Sequence, residues 1–223
     1  MKRLFLLFIP TLLIFISCEQ DDTLPSVENI TSGSKWTLQI GSSPIEVYSQ
    51  LQELSIDKNF NDVAIVYRLP YSSPGEIQSD ISLYKAITLE TNSGRTERIL
   101  LQFDQDKISS IEKGGAMLES ISKWPEDVSD EISINVNDPL DNLQEKLIAI
   151  YEIPTYEKYQ LILPDKWLEK GYDPDMENYE EWAFTFFENI SAGRDGRHNV
   201  RLYFQDEKLV KIRNEYDEFE LVN

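Results

Sequence analysis

Ile99-Leu100-Leu101-Gln102-Phe103-Asp104-Gln105-Asp106-Lys107-Ile108-Ser109-Ser110-Ile111-Glu112 returns, at a constant offset of 101, as Val200-Arg201-Leu202-Tyr203-Phe204-Gln205-Asp206-Glu207-Lys208-Leu209-Val210-Lys211-Ile212-Arg213. Leu, Phe, Lys and Ile recur at matching places (101/202, 103/204, 107/208, 111/212). Each copy alternates apolar and polar residues, breaks at a short acidic cluster and alternates again. That is the pattern of two antiparallel strands joined by a tight turn.

The flanks repeat in the same order. Trp36-Thr37-Leu38-Gln39-Ile40 and Ile132-Ser133-Ile134-Asn135-Val136 both alternate as strands do. Each is followed by a polar residue and a proline, Ser43-Pro44 in one case and Asp138-Pro139 in the other. Proline suits a first helical position, where its missing N–H is not needed. Apolar residues then fall three and four apart, as on one buried helical stripe. Two further strands read at 62–69 and 83–90 before the first hairpin, and at 159–163 and 181–188 before the second. The expected fold is therefore α+β, a tandem duplication of one unit. Each unit packs one helix on its own four- to five-stranded antiparallel sheet. The units span 35–113 and 131–223, with a linker over 114–130.

The start of the chain is not part of that fold. Met1-Lys2-Arg3 is basic and residues 4–16 are almost wholly apolar, too short a stretch to span a bilayer comfortably. They read as a secretory leader over 1–17. It ends in Phe15-Ile16-Ser17-Cys18, which resembles the lipobox of bacterial lipoproteins; Phe15 departs from the commoner leucine. Cys18 is the only cysteine, so lipidation would consume what is otherwise a stray thiol in an exported chain. The resemblance implies a membrane anchor through lipid on Cys18 and a place in the bacterial envelope, at the outer membrane, facing the periplasm or the exterior. Residues 18–34 read as a flexible tether. Its acidic start, Glu19-Gln20-Asp21-Asp22, resembles the surface-export signal of Bacteroidota lipoproteins, and Asp22-Thr23-Leu24 resembles their O-glycosylation triplet.

Composition narrows the partners. Without Lys2 and Arg3 the chain has 19 basic against 40 acidic residues, a formal charge of −21. Such a surface repels nucleic acid and anionic headgroups and suits a basic protein partner. One histidine, and no cysteine once Cys18 is acylated, cannot build a usual zinc or iron shell, and no metal or other cofactor is expected. Asp57-Lys58-Asn59-Phe60-Asn61 and Asp173-Pro174-Asp175-Met176-Glu177 look like starts of calcium loops, but both lack the glycine such a loop needs at its sixth place. They read as solvated acidic loops.

The hairpin pattern Phe-x-x-acidic-Lys-apolar-x-x-Ile, at 103–111 and 204–212, resembles repeats of β-lactamase-inhibitor-like domains and of small outer-membrane lipoproteins of the BamE type. Many members of those families bind other proteins through a sheet face and its loops. The resemblance implies a non-catalytic protein-binding module of inhibitor, immunity or envelope-assembly type, and not an enzyme. A glycan-binding accessory lipoprotein is the alternative. Candidate contacts are Asn92 and Arg95 in one loop, Arg194, Asp195, Arg197 and His198 in another, and Tyr203 beside them. A catalytic reading would make His198 a general base oriented by Asp195 or Glu188, with the two arginines clamping an anion. The bland reading of 191–199 is a hairpin loop turning at Asp195-Gly196. On the strand at 181–188, Trp182, Phe184 and Phe186 share one face. Ala183, Thr185 and Phe187 share the other, which is either packed on the second unit or open to a partner.

Overall fold

The computed structural model describes residues 25–77, 80–91, 97–114 and 117–220. The strands run β1 (Ser26–Ile30), β2 (Ser34–Lys35), β3 (Leu38–Gln39), β4 (Asp62–Ile65), β5 (Ala86–Thr91), β6 (Arg98–Asp104), β7 (Lys107–Gly114) and β8 (Leu118–Ile121) in the first part of the chain. They continue as β9 (Lys123–Trp124), β10 (Ile134–Asn135), β11 (Tyr159–Ile162), β12 (Asp165–Trp167), β13 (Glu181–Ser191), β14 (Arg194–Gln205) and β15 (Lys208–Glu220). Helix α1 covers Pro44–Lys58 and α2 covers Leu143–Tyr151.

Both quoted stretches are hairpins, β6–β7 and β14–β15, and they match in detail. Each turns on two consecutive residues with positive φ, Gln105 and Asp106 in one and Asp206 and Glu207 in the other. That is the geometry whose twist fits a two-residue antiparallel turn. Each slips register at the same place, between Gln102 and Phe103 and between Tyr203 and Phe204. At the slip the Phe103 N–H donates to Lys85 O and the Phe204 N–H to Glu180 O, both at 2.8 Å. The displaced residue thus keeps a backbone partner outside its own hairpin.

The expected pair of self-contained α+β units is not what forms. The chain is mostly β, 47% strand and 20% helical, with two α-helices among the described residues and several sheets. The larger sheet has the order β1-β15-β14-β13-β4-β12 and the smaller β11-β5-β6-β7-β8, so each takes strands from both halves of the sequence. Helix α1 buries Val47, Tyr48, Leu51 and Leu54 against Trp182, Phe184, Leu202 and Leu209, which belong to the second hairpin's sheet. Helix α2 buries Leu143, Leu147 and Ile150 against Ile87, Leu101, Ile108 and Ile111 of the first. Backbone bonds fix the crossover in the same way on both sides. Gly41 N–H donates to Leu209 O (2.8 Å) and Leu209 N–H to Ser42 O (2.9 Å); Asn137 N–H donates to Ile108 O (2.8 Å) and Ile108 N–H to Asp138 O (2.9 Å). Ile108 and Leu209 occupy the same position in the two quoted stretches. The helix of each half therefore closes on the hairpin of the other, and the core of residues 77–163 is inserted into the core made by 38–65 and 168–212.

Two local expectations also shift. Pro44 does open α1, where the Glu46 carboxylate accepts from the Ser43 backbone N–H at 2.7 Å. Pro139 instead precedes a 3₁₀ turn, Leu140–Asn142, and α2 starts only at Leu143. The tether expected to run to residue 34 stops short, because Ser26–Ile30 adds to the sheet edge as β1, pairing with β15 from Ser26 opposite Tyr216 to Ile30 opposite Ile212.

Candidate functional site

The segment expected to be a loop at 191–199 is strand. β13 and β14 pair from Glu181 opposite Tyr203 to Ser191 opposite Arg194, with one register slip between Asn189 and Ser191, so the turn lies at 192–193, where Gly193 takes φ +85°. Gly196 serves a close approach instead of a turn: a Cβ there would lie 2.6 Å from the Tyr216 ring. His198 consequently points into the core. It is buried, stacked on Phe186 at 4.5 Å between ring centroids, with Trp36 and Tyr216 at its edges. Its Nδ1 shares a 3.0 Å hydrogen bond with Asn214 Oδ1, and its Nε2 faces Glu188 Oε2 at 3.4 Å, off hydrogen-bond geometry. Glu188 is itself bonded to Lys58 at 2.9 Å, and that bond, first among several causes, holds its carboxyl below the usual range.

The rest of that candidate constellation does not assemble. Asp195 accepts from Asn189 Nδ2 at 3.2 Å and does not orient His198. Arg197 makes a two-pronged pair with Asp217 (3.0 and 2.9 Å), and Arg194 pairs with Glu218 at 3.1 Å, so the expected anion clamp is taken up by carboxylates of β15. Tyr203 lies on the outer face at the other end of the sheet from Phe187, six residues or about 20 Å along the strand. That outer face is open to solvent and is not packed on a second unit: Phe187 is 56% exposed, whereas Trp182, Phe184 and Phe186 are buried against α1. Asn92, Arg95 and Cys18 lie outside the described residues, as does Thr23.

Where the two cores meet, a buried polar network replaces apolar packing. The Arg68 side chain is 1% exposed and donates to Tyr84 Oη (2.5 Å), Tyr71 Oη (3.0 Å) and the Asp175 carboxylate. Asp173 accepts from the Tyr84 hydroxyl and lies 4.0 Å from Arg68. The acidic stretch that looked like a calcium loop is thus bound to the protein's own guanidinium. Lys166, fully buried, donates to Tyr48 Oη (2.9 Å) and Trp167 O (3.0 Å). Loss of solvent pushes its ammonium down to about 8, against the opposing pull of Asp173 and Asp80. Among the described residues no group of three or more metal-ligating side chains gathers, and no helix is long and apolar enough to cross a membrane.

Turning Arg68 inward turns its neighbours outward, and this builds a surface feature that core packing does not explain. Tyr67, at φ +59°, is 81% exposed and Leu69 is 73% exposed, flanking the 7% exposed Arg68. A bulky residue in the left-handed region is strained, and such strain gathers at functional sites. Val66 N–H donates to Glu181 O at 2.9 Å and holds this turn against the start of β13. Between them opens a cleft of about 440 Å³, walled by Tyr67 and Leu69 on one side and by Tyr179, Glu180, Glu181 and Tyr203 on the other. Sequence reasoning found Tyr203 but took 62–69 for plain strand. The available signal was a charge set inside the apolar run Val63-Ala64-Ile65-Val66-Tyr67-Arg68-Leu69, an inversion of the ordinary pattern.

The cleft and the start of β1 lie apart along the large sheet. β1 enters opposite Tyr216 and runs antiparallel to β15, so the chain arrives from the side of the turn at 192–193. Tyr216 pairs with His198, and from His198 to Tyr203 is five residues of strand, about 17 Å.

Comparison with protein-family models, with curated proteins and with solved structures finds no match.

Proposed function

We propose that the chain is an envelope lipoprotein that binds another protein, performs no chemistry of its own, and does its binding in the tyrosine-lined cleft. The observation that carries the reading is the inverted triplet Tyr67-Arg68-Leu69, which spends a buried charge network on holding two apolar side chains in water. Exposed aromatic and aliphatic groups around a cleft are the usual anchors of protein recognition. The sole histidine supports the non-catalytic half of the proposal, since its ring is stacked in the core away from that cleft.

Anchoring rests on Cys18 as the acylated residue. Ser26 follows it by eight residues, so a lipid there keeps the sheet within about 28 Å of the bilayer. Replacing Cys18 with alanine is expected to abolish acyl labelling and to release the folded body into the soluble fraction. Unchanged membrane retention of that variant would end the anchoring proposal.

A second reading, glycan binding, draws on the same tyrosine rings as stacking platforms. Crosslinking from Tyr67 separates the two, since a protein adduct supports the first and a polysaccharide adduct the second.

A further inference from the structure

We infer that the cleft receives a cationic side chain, a lysine or arginine carried on a basic segment of the partner protein; this rests on the protein-binding reading above. The cleft already shows how it treats cations, because the protein supplies two of its own. The Lys211 ammonium sits 3.6 Å from the centroid of the Tyr203 ring, a close cation–π contact. Arg201 binds Glu181 at 2.5 Å. One ring of the wall, Tyr203 on β14, and one carboxylate, Glu181 at the start of β13, are therefore matched with positive charge.

The opposite pair is not so matched. Tyr67 presents an 81% exposed ring, and Glu180 is an exposed carboxylate with no ion pair among the described residues. An aromatic face beside a carboxylate is complementary to an ammonium or guanidinium group: the ring quadrupole and the anion attract it, and its aliphatic stem can lie along Leu69. The long-range field acts in the same direction, since the chain carries a formal net charge of −19. A neutral partner would draw no benefit from that field, and an acidic one would be repelled.

The test titrates fluorescein-labelled nona-lysine and nona-arginine into the soluble body, as wild type and as Tyr67→Ala, Glu180→Gln and Glu119→Gln. Tyr67 and Glu180 are exposed, so their variants are expected to melt as wild type does. Glu119, exposed on β8 of the other sheet, removes one charge far from the cleft. Binding about tenfold weaker in Tyr67→Ala at unchanged net charge, weaker in Glu180→Gln and unchanged in Glu119→Gln, is the expected result. Equal affinity of Tyr67→Ala and wild type would overturn the proposal, because binding would then be diffuse attraction to an acidic surface. So would equal losses in Glu119→Gln and Glu180→Gln. A crosslinker at Tyr67 that still captures a partner protein in that event would leave the protein-binding reading standing and remove only the cationic occupant.

Discussion

Arg68→Ala is expected to destabilise the protein by about 3–5 kcal/mol, because it removes the cation from a buried network and leaves its anions behind. Asp173 is 3% exposed and Tyr84 fully buried, so neither can turn to water for replacement hydrogen bonds. The network also joins elements of the two cores: Tyr84 belongs to the inserted core, while Asp173 and Asp175 precede Met176 of the other. For a chain of this length the loss corresponds to a melting temperature lower by roughly 10 °C. Urea denaturation of the soluble body provides the check, and a loss below about 1 kcal/mol would mean that the network contributes nothing net.

Lys166→Met is expected to act in the opposite direction. Lys166 is fully buried, with a hydroxyl and a carbonyl as its hydrogen-bond partners, and a side chain of similar length without charge can fill its space. Replacing such a group by an apolar one stabilises by on the order of 1–3 kcal/mol at pH 7. The pH dependence has a definite sign. The folded state releases the Lys166 proton near 8, whereas the unfolded chain holds it to about 10.5. Between those values the unfolded state binds more protons, so wild-type stability rises from pH 8 towards pH 10. Tyr48, Tyr84, Tyr151, Tyr159 and Tyr172 are held above the usual tyrosine range by burial, so the unfolded chain loses their protons first and they begin to oppose the rise as the pH nears 10. Urea midpoints at pH 7.5 and 9, below the tyrosine range, should show the rise in wild type and its absence in the methionine variant. A wild-type midpoint that falls over this interval would contradict the assignment.

The local elements were legible because their causes are local. Alternation fixed both hairpins, and the pairs at 105–106 and 206–207 marked their turns. Ser43 and Pro44 marked the start of α1. The partner of each helix was not legible. Val47, Leu51 and Leu54 ask only for an apolar sheet face, and the two hairpins offer nearly the same one. What chooses between them is non-local, namely the pairing of 41–42 with Leu209 and of 137–138 with Ile108.

The strand character of 194–199 was hidden for a different reason. The inward positions there are Arg194, Gly196 and His198, so the alternation carries no apolar signal, and Gly196 imitates a turn while making room for Tyr216. The cleft was missed because its making depends on Arg68 finding Tyr71, Tyr84, Asp173 and Asp175, residues spread over more than a hundred positions. No window of sequence contains that set.

The central claim is that an anchored protein presents the Tyr67 cleft to a protein partner. The direct measurement places a photo-crosslinking amino acid at Tyr67 in one strain and at Phe187, exposed on the same sheet away from the cleft, in another, and irradiates intact cells. The expected result is a discrete protein adduct from position 67 that position 187 does not give. Adducts from position 187 alone, or only polysaccharide from position 67, would contradict the account.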